Sequence, residues 1–249
     1  ELIGAQTRPL VSTALKPMGS DAATLAQMAR TLAMAGFDLI KDDHSLANQP
    51  WATWKERVTL ISLAVKEANE ITGGNSAYVP SLNMPFDQVM AAAHTAKDLG
   101  AGALLVIPGI TGFDSLRVIA ADETLSLPIL GHPAMLGSLV TSKDSGISHG
   151  IVFGTLMRLA GADISIFPNI GGRFSFTSEQ CLEIADLSRK KLGSLKPMTI
   201  APAGGMTLER IPEMIDMYGK DAALLIGGAL SRGNLADNAA RMCEMVRSY

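Results

Sequence analysis

The chain has 249 residues, 47% of them hydrophobic and 5% aromatic, and a formal net charge of −3 with 21 lysines and arginines. That length buries one large core, and the charge and low aromatic content exclude the basic footprint and base-stacking platforms of nucleic-acid binders. No apolar run reaches the length of a membrane span, and no basic n-region of a signal peptide opens the chain, which starts at Glu1 rather than Met. A processed chain or a piece of a longer protein is therefore expected. In chain order, a strand predicted over 11–16 is followed by a helix over 20–35, with Ser20 as N-cap and Leu25, Met28, Ala29 and Leu32 at helical spacing. Strand 37–41 precedes helix 54–72, strand 77–81 precedes helix 85–99, and strand 103–107 precedes helix 112–122. Strand 127–131 precedes helix 149–160, and strand 163–167 precedes helix 177–192, where Thr177 and Gln180 have capping-box spacing. Strands 198–202 and 222–226 precede helices 207–218 and 233–247. The inner stripes of the two long C-terminal helices are Cys181, Ile184, Ala185 and Ser188, then Leu235, Ala239, Met242 and Val246. Cys181 and Cys243 read as structural, reduced thiols of a cytoplasmic protein.

Eight strands alternating with helices predict a single (β/α)8 TIM barrel over 1–249. A doubly wound sheet is the competing architecture, and the lack of a G-x-G-x-x-G after the first strand weakens its dinucleotide-binding version.

In a barrel, chemistry gathers where strands end. Lys41-Asp42-Asp43-His44 is the most informative stretch, because charges rarely enter a core unless paired or bound to metal. Lys41 and Asp43, two apart, share a face of the strand. His44 faces oppositely unless the chain has already turned. Lys41, Asp43 and His44 either hold a divalent cation, with Lys41 uncharged or carrying a carboxylate, or form an internal ion pair with no metal. Lys16 is a proton carrier or a salt-bridge cation, and His132 a hydrogen-bond donor or a satisfied strand-end histidine. Gly204-Gly205 and Gly227-Gly228, after the seventh and eighth strands, form a phosphate seat or two tight turns. Arg173 closes over an anion or stays solvated in its loop. His94, His149, Trp51 and Trp54 read as structural.

Together these residues resemble the large subunit of ribulose-bisphosphate carboxylase (RuBisCO), and more closely its non-carboxylating relatives of form IV type, the RuBisCO-like proteins. Arg8-Pro9-Leu10 with Leu15-Lys16-Pro17 resembles the opening barrel strand of the family's C-terminal domain. Gly36-Phe37-Asp38 with Lys41-Asp42-Asp43 is similar to its metal-site signature. Leu156-Met157-Arg158-Leu159 with Gly161-Ala162-Asp163 is similar to the approach to its mobile sixth loop, and the two glycine pairs to its phosphate turns. The resemblance implies Mg2+ bound by Asp43 and by Lys41 as a CO2-derived carbamate. It implies proton transfer by Lys16 and one phosphate on Gly204, Gly205, Gly227 and Gly228. It also implies a homodimer in which an N-terminal α+β domain, missing from this chain, completes the partner's site. The full-length parent is then the expected enzyme, and a barrel standing alone has an open site.

Departures from the family pattern narrow the expectation. His44 stands where the family has a glutamate ligand, and Arg173 where carboxylases have a lysine. Pro133, Ile166 and Ala203 replace an arginine, a histidine and a serine of the second phosphate site. A small substrate with one phosphate and a more apolar or neutral far end is expected. The reaction expected is metal-dependent enolate chemistry without net CO2 fixation. One branch is enolisation or isomerisation, as on methylthio-sugars. The other is decarboxylation or C–C hydrolysis, as on 3-oxo-isoapionate 4-phosphate. A non-catalytic barrel scaffold is the alternative, and a true carboxylase is the reading least compatible with the substitutions.

Overall fold

The computed structural model describes residues 7–142, 144, 146–174 and 176–249. Eight strands lie in the order β3-β2-β1-β8-β7-β6-β5-β4, all parallel. They are β1 (Leu10–Ala14), β2 (Leu39–Lys41), β3 (Ala77–Val79), β4 (Leu104–Val106), β5 (Ile129–Gly131), β6 (Ile164–Pro168), β7 (Thr199–Ala203) and β8 (Ala223–Leu225). The two ends of this order meet: Ser81 bridges Leu105 in parallel, and Leu105 N–H donates to the Pro80 carbonyl at 2.9 Å. The sheet is therefore closed into a (β/α)8 barrel.

Each strand lies near its predicted position because its apolar run must face two cores. One set, including Leu39, Val79, Leu105, Leu130, Ile166, Ala201 and Leu225, fills the barrel interior. The alternate set, including Val11, Ile40, Tyr78, Phe167, Ile200 and Leu224, packs outward against the helices. Lys41 follows the inward residue Leu39 by two and is buried.

The helices are α1 (Ala22–Ala35), α2 (Trp54–Thr72), α3 (Val89–Asp98), the short α4 (Pro108–Thr111), α5 (Phe113–Ala121), α6 (Met157–Leu159), α7 (Ser178–Arg189), α8 (Ile211–Tyr218) and α9 (Leu235–Arg247). The cap of α1 is Asp21, not the expected Ser20: the Asp21 carboxylate accepts from Thr24 N–H at 2.7 Å. A carboxylate also complements the positive helix end, which a hydroxyl does less well. The Thr177–Gln180 capping box forms as the spacing predicts. The helix expected over 149–160 is π-helical over Gly150–Leu156 and becomes α only in α6. Periodicity over so few turns does not separate the two helix types. Leu235 is only half-buried at the start of its stripe, whereas Ala239, Met242 and Val246 are in the core. Cys181 and Cys243 are buried free thiols.

A candidate active site at the C-terminal mouth of the barrel

The site begins with the alternation of β2. Asp42 points outward, away from the barrel, and is fully buried. It accepts from Arg57 Nε on α2 at 3.2 Å, Tyr78 Oη at 2.8 Å and Ser81 N–H at 3.0 Å. Burial pushes the Asp42 carboxyl up, against the lowering effect of Arg57 and these hydrogen bonds. With Asp42 held outward, Lys41 and Asp43 turn inward. Lys41 Nζ donates to the Asp42 carbonyl at 2.9 Å. Burial lowers its amine to about 8, against the opposing pull of Asp43 and Asp42.

Asp43 closes the strand. Its Oδ1 accepts from Ser45 N–H at 2.9 Å and from the Ser45 hydroxyl, which bends the chain at once. His44 is thereby carried round to the cavity instead of facing oppositely, and its carbonyl accepts from Asn83 Nδ2 at 2.6 Å. The ion partner of Asp43 is Lys16 from the end of β1, not Lys41. Burial would raise the Asp43 carboxyl, but Lys16 and Ser45 outweigh it and hold the group well below the ordinary range.

His44 stacks on His132, with ring centroids 4.5 Å apart. Burial holds His132 well below its ordinary value, and Lys41 and His44 push it the same way. It is therefore a neutral imidazole. Its Nδ1 accepts from Ala134 N–H at 3.1 Å, which leaves the proton on Nε2.

Lys16, Lys41, His44, His132, Arg173, Gly204, Gly205, Gly227 and Gly228 all line one cavity of about 470 Å³ at the C-terminal ends of the strands. Asp43 lies beside it, reaching it through Lys16. The stem of Lys16 runs along Gly227, where an added Cβ would sit 3.7 Å from Lys16 Cε. At the next two strands the register pairs Pro168 with Ala203, so the loops that follow start level. Gly205 has φ +67°, and a Cβ there would lie 2.6 Å from Gly172 Cα. The Arg173 loop and the Gly204–Gly205 turn thus touch backbone to backbone. Arg210 ties them further, donating to the carbonyls of Ile170 (2.9 Å) and Gly205 (3.2 Å) while paired with Glu213.

A second chamber of about 500 Å³ adjoins the first and shares His44, Pro133, Pro168 and Phe174 with it. Its other walls include Met135, Phe153 and Phe176, and among the described residues no lysine or arginine lines it. Pro133 stands in this apolar wall, and Ile166 and Ala203 line the first cavity. A larger hollow of about 870 Å³ lies at the opposite end, among the loops that enter β3, β4 and β5. Of the perturbed groups it touches Tyr78, whose hydroxyl is already committed to Asp42, whereas Lys41, His44 and His132 gather at the mouth, so the mouth is the candidate site. Exposed apolar residues stud the mouth's rim in the segments that follow six successive strands, β1 to β6: Met18, Trp51, Phe86, Ile110, Met135 and Phe174. Trp51 is 48% exposed rather than packed, whereas Trp54 is buried and donates its Nε1–H to the Ser81 carbonyl. His94 pairs with Asp122 at 3.0 Å, and His149 packs edge-on against Phe176.

Among the described residues, no three histidine, cysteine, aspartate or glutamate side chains gather to hold a metal ion. Asp43 and His44 supply two donors, 3.5 Å apart. A cation there needs a third donor and must displace Lys16 from Asp43.

Residues 1–175 match the family model of the ribulose bisphosphate carboxylase large chain, catalytic domain. The chain belongs to the RuBisCO large-chain family. It is 36% identical over 249 residues to ribulose bisphosphate carboxylase-like protein 1 of Rhodopseudomonas palustris, covering 99% of this chain and 66% of that protein. It is 39% identical over 241 residues to the 5-methylthioribulose-1-phosphate isomerase of Rhodospirillum rubrum, covering 96% and 63% of the two. It is 34% identical over 229 residues to the 2,3-diketo-5-methylthiopentyl-1-phosphate enolase of Bacillus licheniformis, covering 92% and 56%. A solved RuBisCO-like protein from Rhodopseudomonas palustris superposes with a TM-score of 0.91 at 39% identity, covering all of this chain and 66% of that one. The RuBisCO-like chain thus spans just under two thirds of the first of these relatives and less of the others.

Sequence reasoning missed Arg57 and the rim. Arg57 had a signal: it sits on the buried stripe Trp54, Val58, Ile61, Val65 of α2, a place where a charge demands a partner.

Proposed function

We propose that the complete protein enolises a monophosphorylated ketose with an apolar far end, and isomerises it or passes on the enol without fixing CO2. The observation that carries this reading is the junction of the two chambers, one lined by cations and glycine turns and the other apolar. A single phosphate fits the first and a thioether-sized tail the second. The relatives named for methylthio-sugar phosphates support the same class. The decarboxylating branch has no such support from named relatives.

The residues divide the work as follows. Backbone N–H groups of Gly204, Gly205, Gly227 and Gly228 hold the phosphate. Lys16, released from Asp43 and having given up its own proton, takes a proton as the neutral amine from the carbon next to the carbonyl. The C–H electrons form the C=C bond and the carbonyl pair moves to oxygen. Moving the hydroxyl proton from the first carbon's oxygen to the other oxygen and returning the abstracted proton to the former carbonyl carbon completes an isomerisation. His132, neutral with its proton on Nε2, donates to the oxygen where charge develops. The apolar wall from Pro133 to Phe176 receives the far end and keeps water from the enol.

A divalent cation fits these residues only once Lys41 carries a carboxylate. The buried, partly neutral Lys41 amine attacks CO2, an N–C bond forms and one proton leaves. Asp43, His44 and the carbamate would then hold Mg2+, which supplies Lewis-acid stabilisation of an enediolate oxygen. The Lys16–Asp43 pair favours a second reading, in which the site neutralises itself and the barrel is a metal-free scaffold. Titration with Mg2+ at raised bicarbonate separates the two, since a scaffold shows no bicarbonate-dependent binding. We further propose that the family's homodimer applies here, with the partner covering the apolar rim.

The direct test is proton exchange in D2O at the carbon next to the carbonyl of phosphorylated ketoses, followed by NMR with the complete protein. Exchange supports the reading, and CO2 release from keto acids without exchange overturns it in favour of decarboxylation. Lys41→Ala is expected to lower exchange by roughly 10³-fold, the scale of a lost acid–base or electrostatic group. Unchanged exchange in that variant would remove Lys41 from the site.

A further inference from the structure

The cavity wall holds one cation that neither the motifs nor the glycine turns account for. Arg232 lies between β8 and α9 and lines the same cavity as Gly204, Gly205, Gly227 and Gly228. Its backbone is fixed from two sides. Leu230 N–H donates to the Gly227 carbonyl at 3.0 Å, which folds the chain back after the second glycine pair. From α9, Asn238 Nδ2 donates to the carbonyls of both Leu230 (3.0 Å) and Arg232 (2.9 Å). Asn234 caps the same helix, accepting from Ala236 N–H at 2.9 Å. The loop is thus docked on a 13-residue helix, and the arginine leaves from a set position.

Among the described residues, no carboxylate lies within ion-pair distance of the Arg232 guanidinium. Arg210, nearby, is already committed to Glu213 and two carbonyls. Among the described residues the cavity lining contains Lys16, Lys41, Arg173 and Arg232 and no aspartate or glutamate, in a chain whose net charge is −3. Lys16 is engaged with Asp43. Because β7 lies between β6 and β8, the Arg173 and Arg232 loops flank the Gly204–Gly205 turn. Guanidinium groups bind phosphate oxygens through two parallel N–H donors and never lose their charge.

We propose that Arg232 is the fixed-charge phosphate ligand of this site, gripping the phosphoryl group that the glycine turns receive. This inference rests on the reading of those turns as a phosphate seat. It makes Arg232 the residue that separates phosphorylated substrates from their dephosphorylated counterparts.

The test is calorimetric titration of inorganic phosphate into the wild type, Arg232→Gln, Arg232→Lys and Gly205→Ala, with thermal melting to check folding. The expected result is a roughly 10- to 100-fold weaker dissociation constant in Arg232→Gln, the scale of a lost charge-assisted pair, with partial retention in Arg232→Lys. If Arg232→Gln binds as the wild type does while Gly205→Ala is weakened, Arg232 is an idle surface group and the phosphate seat stands without it. If the wild type binds no phosphate, or neither substitution changes its affinity, the seat and the Arg232 assignment fall together.

Discussion

Between Lys41 and Asp43, the Asp42 carboxylate meets Arg57, Tyr78 and the Ser81 amide in a region closed to solvent. Arg57 also donates to the carbonyls of Ala52 and Ala47, at 2.9 Å each, so one guanidinium braces the whole loop after β2. Removing one member of a buried pair leaves the other charge uncompensated, at roughly 3–5 kcal/mol. Arg57→Ala is therefore expected to lower the denaturant midpoint sharply, by that amount in unfolding free energy. A change below about 1 kcal/mol, the range of a surface pair, would show that Asp42 is not held as described. His44 offers a second test. A carboxylate in place of the imidazole adds charge to a prospective cation site, so His44→Glu is expected to tighten Mg2+ binding roughly tenfold or more. Equal affinity in a titration at fixed bicarbonate would put His44 outside the ligand set.

At the scale of elements, β5 and β6 are joined at their entry by a reciprocal pair. Asp163 N–H donates to the Ile129 carbonyl at 2.9 Å, and Ile129 N–H donates to Asp163 Oδ2 at 2.9 Å. Burial raises the Asp163 carboxyl, against the lowering effect of that Ile129 amide and of Lys196. A raised folded value means that the native state holds the proton more tightly than the unfolded chain. The stabilising contribution is then complete below the unfolded value of about 3.9 and is lost as pH rises through the raised folded value. Asp163→Asn keeps an accepting oxygen and has nothing to ionise. Its stability relative to wild type is expected to improve as pH rises from about 3 to 7, read from urea unfolding at several pH values. A difference that stays flat, or falls, would mean that Asp163 is not desolvated in the folded state. The same scale shows what the sequence could reveal. Strand centres were legible because the inward and outward sets alternate in every run, and Lys41 and Asp43 inherited that alternation. The turn at His44 was not legible, because it depends on Asp43 capturing Ser45, a choice made by side-chain hydrogen bonds rather than by period. The π-helical segment was hidden because its seven residues make fewer than two turns, too few for a longer period to show in an apolar stripe.

For the molecule as a whole, the closed barrel leaves both thiols inside. Burial pushes Cys243 up to about 11, and it raises Cys181 as well. Neither is expected to react with a thiol reagent at pH 8 until the chain unfolds, so labelling should track global unfolding. Labelling of the folded protein within minutes would mean that α7 or α9 opens on its own. The family and the barrel were readable from motif order alone, whereas Arg232 carries no motif and became visible only when three loops were brought to one cavity. The contact between Gly172 and Gly205 has a consequence for how such proteins can diverge. Each backbone is shaped around a missing methyl on the other, so the segment carrying Arg173 and the turn beside it form one heritable cassette. A transplant of the first alone, to install a lysine for instance, meets a neighbour moulded to a different chain. Functional chimeras of these barrels should be poor in crossovers between β6 and β7, and rich in those that move both strands together.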